Sequence, residues 1–141
     1  MHEYGPLDNF PDEPKARPNW VCFALVPTST GRLDKKPVNA QTGENAKSND
    51  PRTWTSFPVA TQAAKQGTIN GRIVHGVGYV FWKGAEAVNL APRPDDLPAD
   101  DYVGIDLDHC VNPETGAIES WALDIVEVLS SYTDTKLQLK K

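Results

Sequence analysis

Trp20-Val21-Cys22-Phe23-Ala24-Leu25-Val26 is an unbroken apolar run, rich in strand formers and closed by Pro27. A strand alternates its faces, so a run that is apolar at every position suits a strand buried on both sides. The chain before it is of another kind. Residues 1–18 hold Pro6, Pro11, Pro14 and Pro18 among acids and read as an extended arm. After it, residues 28–48 are polar, with Gly31 and Gly43 as turn points and Lys35-Lys36-Pro37 between them.

Further elements follow from local signals. Asp50-Pro51 offers an N-cap followed by proline at a first helical position. From there Trp54, Phe57, Ala60 and Ala64 recur at helical spacing, Pro58 breaks or restarts the helix, and Gly67 ends it. His75-Gly76-Val77-Gly78-Tyr79-Val80-Phe81-Trp82 predicts a second strand, whose glycines suggest a close approach to its backbone. Residues 83–101 form a proline-rich acidic insertion. Tyr102-Val103-Gly104-Ile105-Asp106-Leu107-Asp108 predicts a third strand, and a turn through Asn112-Pro113-Glu114-Thr115-Gly116 follows it. Ile118, Trp121, Ala122, Ile125, Val128, Leu129 and Tyr132 share one helical face, which predicts a helix over 117–131. The expected fold is α/β (α+β), a small mixed sheet with two main helices. Residues 19–134 form its single domain, between the arm and a basic tail at 135–141.

Composition narrows the function. The chain has 141 residues, 39% hydrophobic and 9% aromatic, which is enough for one packed domain. Lys plus Arg is 14 against 19 for Asp plus Glu, a formal charge of −5. That balance argues against a basic module gripping duplex DNA by charge alone. An acidic site occupied by metal ions stays open. No apolar run approaches the roughly 18 residues of a membrane span. Two cysteines, Cys22 and Cys110, make no disulfide framework. The expected setting is soluble and cytoplasmic, without a membrane partner.

The chemistry concentrates at Asp106-Leu107-Asp108. On a strand both carboxylates share a face, roughly 7 Å apart, with Leu107 opposite. Two hard oxygen ligands so placed suit Mg²⁺ or Mn²⁺, which also bind substrate phosphates. The alternative is an acidic turn with both side chains solvated. His75, His109 and Cys110 add no zinc site, because Cys110 has no second cysteine at ligand spacing. His109 is read first as a turn residue and Cys22 as core. Trp54 and Trp121 are also read as core, and Trp82, bordering the insertion, as the exposed aromatic. Gly76 and Gly78 make no phosphate loop, since no Lys-Ser/Thr and no helix follows directly.

Gly76-Val77-Gly78-Tyr79-Val80-Phe81, Val103-Gly104-Ile105-Asp106-Leu107-Asp108-His109-Cys110 and Ser130-Ser131-Tyr132-Thr133-Asp134 together resemble the primase–polymerase domain of phage and plasmid replication proteins. That family belongs to the archaeo-eukaryotic primase superfamily. Trp20, Lys36-Pro37 and Asp50-Pro51-Arg52-Thr53-Trp54 agree with it, so the resemblance covers roughly residues 18–134. It implies that Asp106 and Asp108 are the first catalytic motif and hold the divalent metals, with DNA and nucleotide as partners. It also implies that Lys36 faces nucleotide phosphates or template; a solvated lysine before a turn is the equal alternative.

The chain departs from that family after Asp134. Members continue into Ser-Pro-Ser-Gly-x-Gly-x-His and a further carboxylate, whereas here Thr135-Lys136-Leu137-Gln138-Leu139-Lys140-Lys141 follows. The expectation is half of a primase–polymerase fold, truncated after the first motif, with an uncovered sheet edge and inactive by itself. A second reading is a non-catalytic inhibitor that mimics DNA. Asp95, Asp96, Asp100 and Asp101, with Asp106 and Asp108, would present carboxylates to a host DNA-binding protein or defence complex, an anti-CRISPR role being one example. A remnant without function is the third.

Overall fold

A computed structural model describes residues 10–89 and 97–133. Among them lie three α-helices and two sheets, in the order α1 (Asp12–Lys15), β1 (Trp20–Pro27), β2 (Leu33–Val38), α2 (Phe57–Gln66), β3 (Thr68–Ile69), β4 (Arg72–Ile73), β5 (Gly76–Tyr79) and α3 (Ser120–Leu129). The larger sheet runs β2-β1-β5, and β3 pairs with β4 in the smaller one. This is the α+β class that the sequence predicts. The chain divides into two compact units, with boundaries after Val26, Asp34 and Val103.

In the first unit β1 is central, and its continuous apolar run has a direct explanation. Trp20, Cys22 and Ala24 are buried in one cluster with Val38, Ala60, Ala63 and Val77. Val21 is buried in another, with Trp54, Trp82, Ala46 and Ala85. Both faces of the strand thus meet apolar partners from Trp20 to Ala24, while its end at Val26 and Pro27 is exposed. Trp20 anchors the first cluster, with T-shaped contacts to Phe57 at 4.7 Å and Phe10 at 5.0 Å.

α2 lies over β5. Ser56 caps it by accepting from the Val59 N–H, and Pro58 sits in the first turn, where a missing N–H breaks no helical bond. Gly67 closes it in the left-handed conformation at φ 79°. The buried residues of its face are Ala60 and Ala63, small enough for close approach, and the Cys22 thiol donates to the Ala60 carbonyl at 3.3 Å. β5 pairs antiparallel with β1 in the register Phe23↔Gly76 and Val21↔Gly78.

Several expectations are corrected here. The described part of the N-terminal arm is not extended: 12–15 make a helical turn, and the Trp20 indole donates to the Pro14 carbonyl at 2.9 Å. Asp50-Pro51 starts only a 3-10 turn, Pro51–Thr53, ahead of α2. β2 arises in a segment read as polar loop, because pairing to β1 overrides its weak apolar pattern. Trp82 is buried against Trp54, ring centres 5.6 Å apart, rather than exposed. The segment 102–108 forms no strand and has no ladder partner among the described residues. A strand needs a neighbour, and apolar alternation alone does not supply one.

In the second unit the turn after β1 closes with the Thr28 N–H on the Arg32 carbonyl at 2.8 Å. Val111 and Ile118 form an isolated antiparallel bridge around the Asn112–Gly116 turn, and α3 follows at Ser120. Gly116 takes φ 73°, and the Asn112 side chain accepts from the Glu114 and Thr115 N–H groups. α3 lies within the predicted 117–131, but only Ala122 is buried along it. Trp121 is 46% exposed, not core. No helix among the described residues is long and apolar enough to cross a membrane.

Candidate functional site

The two aspartates of the Asp-x-Asp string lie in the second unit, on irregular chain that enters a turn. Asp106 and Asp108 are exposed and Leu107 between them is half-buried. The residues before them, Val103 to Ile105, are exposed as well, so no inward-facing strand pattern runs through the segment. Immediately downstream, His109 takes a left-handed conformation at φ 58°, which suits its reading as a turn residue. The Cys110 thiol donates to the Leu107 carbonyl at 3.3 Å, and the Glu119 N–H donates to the Cys110 carbonyl at 2.7 Å. Two backbone-directed bonds therefore tie the carboxylate segment to the start of α3.

The donor set is two carboxylates. Among the described residues no third histidine, cysteine, aspartate or glutamate joins them in a cluster. Two carboxylates fit Mg²⁺ or Mn²⁺, since such ions keep several waters and take further oxygens from substrate phosphates. They do not fit a closed zinc site, which needs four protein donors.

The other predicted site residues fall elsewhere. Lys36 stands on β2 with its side chain exposed. Asp101 is exposed, and Asp95 and Asp96 lie outside the described residues. Asp100 is the exception to the surface reading: it is buried, with its side chain only 1% exposed.

Asp100 is a structural hub in the first unit. Its carboxylate accepts from the Trp82 N–H at 2.8 Å, the Lys83 ammonium at 3.0 Å, the Tyr102 N–H at 3.1 Å and the Tyr79 hydroxyl at 3.1 Å. Burial pushes its carboxyl up, but the bonds from Trp82, Lys83, Tyr102 and Tyr79 pull it below the ordinary value. Burial, and then the Asp100 carboxylate, push the Tyr79 phenol up, so it stays protonated and donates. Nearby, the Asp100 N–H donates to the Trp82 carbonyl at 2.7 Å and the Trp82 indole to the Leu97 carbonyl at 2.9 Å. The acid is thus a clasp that fastens 97–102 to the end of β5. Sequence reasoning missed it, because nothing local separates Asp100 from the acids around it.

No protein-family model matches the chain, and no curated protein is a significant match to it.

Proposed function

We propose that this chain is a primase–polymerase-like domain in which Asp106 and Asp108 bind Mg²⁺ or Mn²⁺, and that it does not transfer nucleotides by itself. The observation that carries this reading is the exposed pair of carboxylates on either side of half-buried Leu107. Bound there, the ion would neutralise phosphate charge on an incoming nucleotide. Asp106 and Asp108 would supply its protein oxygens, and water or phosphate oxygens would supply the rest. Among the described residues no third carboxylate or histidine joins them.

Calorimetry with Mn²⁺ tests the site. Binding should be weak in wild type and lost in the Asp106→Asn, Asp108→Asn double variant; equal binding by both removes these residues from the site. Primer extension tests the second half of the reading. The chain alone should incorporate no more nucleotide than a protein-free control, and template-dependent extension abolished by Asp106→Asn would overturn it.

A second reading rests on the same acidic stretch. The exposed carboxylates of Asp106 and Asp108 in the second unit, and separately that of Asp101 in the first, favour a DNA-mimicking inhibitor that occupies the basic groove of a host nucleic-acid enzyme or defence complex. The burial of Asp100 removes one of the four acids from that surface. Charge reversal at Asp101, Asp106 and Asp108 should slow association with such a partner, and unchanged association would exclude the mimic.

A further inference from the structure

α3 is apolar over most of its circumference, yet little of it is covered. At 100° per residue, Glu127, Ser120 and Asp124 occupy one narrow polar arc. Buried Ala122 and half-buried Val126 mark the inward side. Between these two arcs run Trp121, Ile125, Val128 and Leu129, at the i, i+4, i+7, i+8 spacing of a helix-docking stripe. All four are exposed, Val128 to 84%. A contiguous stripe of this kind is not the scattered exposure ordinary surfaces show.

The stripe has a shape and a charge. Asp124, Ile125, Val128 and Leu129 line a shallow, open and almost wholly apolar depression of about 250 Å³. That is room for an apolar anchor side chain, with Asp124 at the edge. On the helix itself the only charged residues are acidic, Asp124 and Glu127, and residues 104–133 carry six acids with no lysine or arginine. A second copy of α3 would set Asp124 and Glu127 against the same acids, and nucleic acid or an anionic lipid surface would bring more negative charge.

We propose that the outer face of α3, formed by Trp121, Ile125, Val128 and Leu129 with Asp124 at its rim, docks a basic amphipathic helix of a partner protein. Apolar anchors enter the stripe and depression, while lysines or arginines flanking them meet Asp124 and Glu127. This surface uses neither Asp106 nor Asp108, so it stands or falls separately from the metal reading.

Trp121 supplies the readout, because Trp20, Trp54 and Trp82 are buried and only Trp121 is open to a quencher. The probe is a synthetic helix with leucine at i, i+3, i+4 and i+7 and lysine at the outer positions; its twin carries glutamate in place of lysine. The full chain should bind the lysine peptide with a blue shift and protection of Trp121 from acrylamide, and bind the glutamate twin at least about tenfold more weakly. Added salt should weaken the lysine complex as exposed charges are screened. Val128→Asp should abolish binding. Asp124→Lys with Glu127→Lys should transfer the preference to the glutamate twin, a reversal that misfolding cannot produce. Equal binding of the twins, binding of neither, no reversal in the double variant, or a free protein already dimeric with Trp121 protected would each overturn the proposal.

Discussion

Gly76 stands directly opposite Phe23 in the β1–β5 register, and a Cβ at position 76 would lie 2.8 Å from the Phe23 ring. The glycine is present so that the ring can lie across the backbone of β5. Phe23 is held from the other side too, since the Lys35 ammonium sits 4.7 Å from its centre. Gly76→Ala should therefore destabilise the protein by about 1–3 kcal/mol, as overpacking does. Chemical denaturation measures it, and Phe23→Leu in the same chain should recover part of the loss. Gly78→Ala is the contrast: its Cβ would meet Val21 at 3.7 Å, an ordinary contact, so the cost should be much smaller.

Removing the charge at Asp100 should loosen the clasp on 97–102. Asp100→Asn keeps the shape but weakens four hydrogen bonds, and should cost about 1.5–3 kcal/mol. The pH dependence has a definite sign. The folded pKa lies below the ordinary aspartate value of 3.8, so this contribution is complete above that value and is lost as pH falls through the folded pKa. Wild type should lose stability in acid, and Asp100→Asn should lose less over the same range. An unchanged acid limb in the variant would assign the effect to other carboxylates.

Cys22 should resist alkylation in the native protein. Its side chain is fully buried, its thiol donates to the Ala60 carbonyl, and burial pushes its pKa up to about 11. At pH 8, mass spectrometry should find iodoacetamide on Cys22 only as fast as the chain unfolds. The same shift predicts an alkaline limb. The neutral thiol favours the folded state below its unfolded pKa near 9, and that advantage is lost as pH rises towards 11. Cys22→Ala should flatten that limb.

Trp82 should behave as a core residue. Its indole donates to the Leu97 carbonyl, and its ring meets Trp54 edge to face. Trp82→Ala should cost about 3–5 kcal/mol and remove the near-ultraviolet signal of the Trp54 pair. A loss under 1 kcal/mol would return it to the surface.

Much of this fold is legible in short stretches of sequence. Trp20 to Val26 announces a strand covered on both sides, because side chains alternate whatever the partners are. Ser56, Pro58 and Gly67 mark the ends of α2, because capping depends on residues within one turn. The spacing of Trp121, Ile125, Val128 and Leu129 announces α3 in the same way. The Asp106 and Asp108 pair is visible as a string, and so is its fitness for a hard cation.

Tertiary structure decided what those local rules leave open. The apolar alternation of 102–108 predicts a strand, but no ladder among the described residues receives it, and pairing is a property of two segments. β2 shows the converse, a strand made by β1 from a sequence with little strand character of its own. Asp100 and Asp101 are adjacent and chemically identical, yet one is buried and the other exposed. What separates them is the return of the chain to Tyr79, Trp82 and Lys83, whose donors make burial of a carboxylate affordable at position 100. A sequence states which groups carry charge and which are apolar; only the folded chain brings the distant partners that decide whether each is buried, paired or left on the surface.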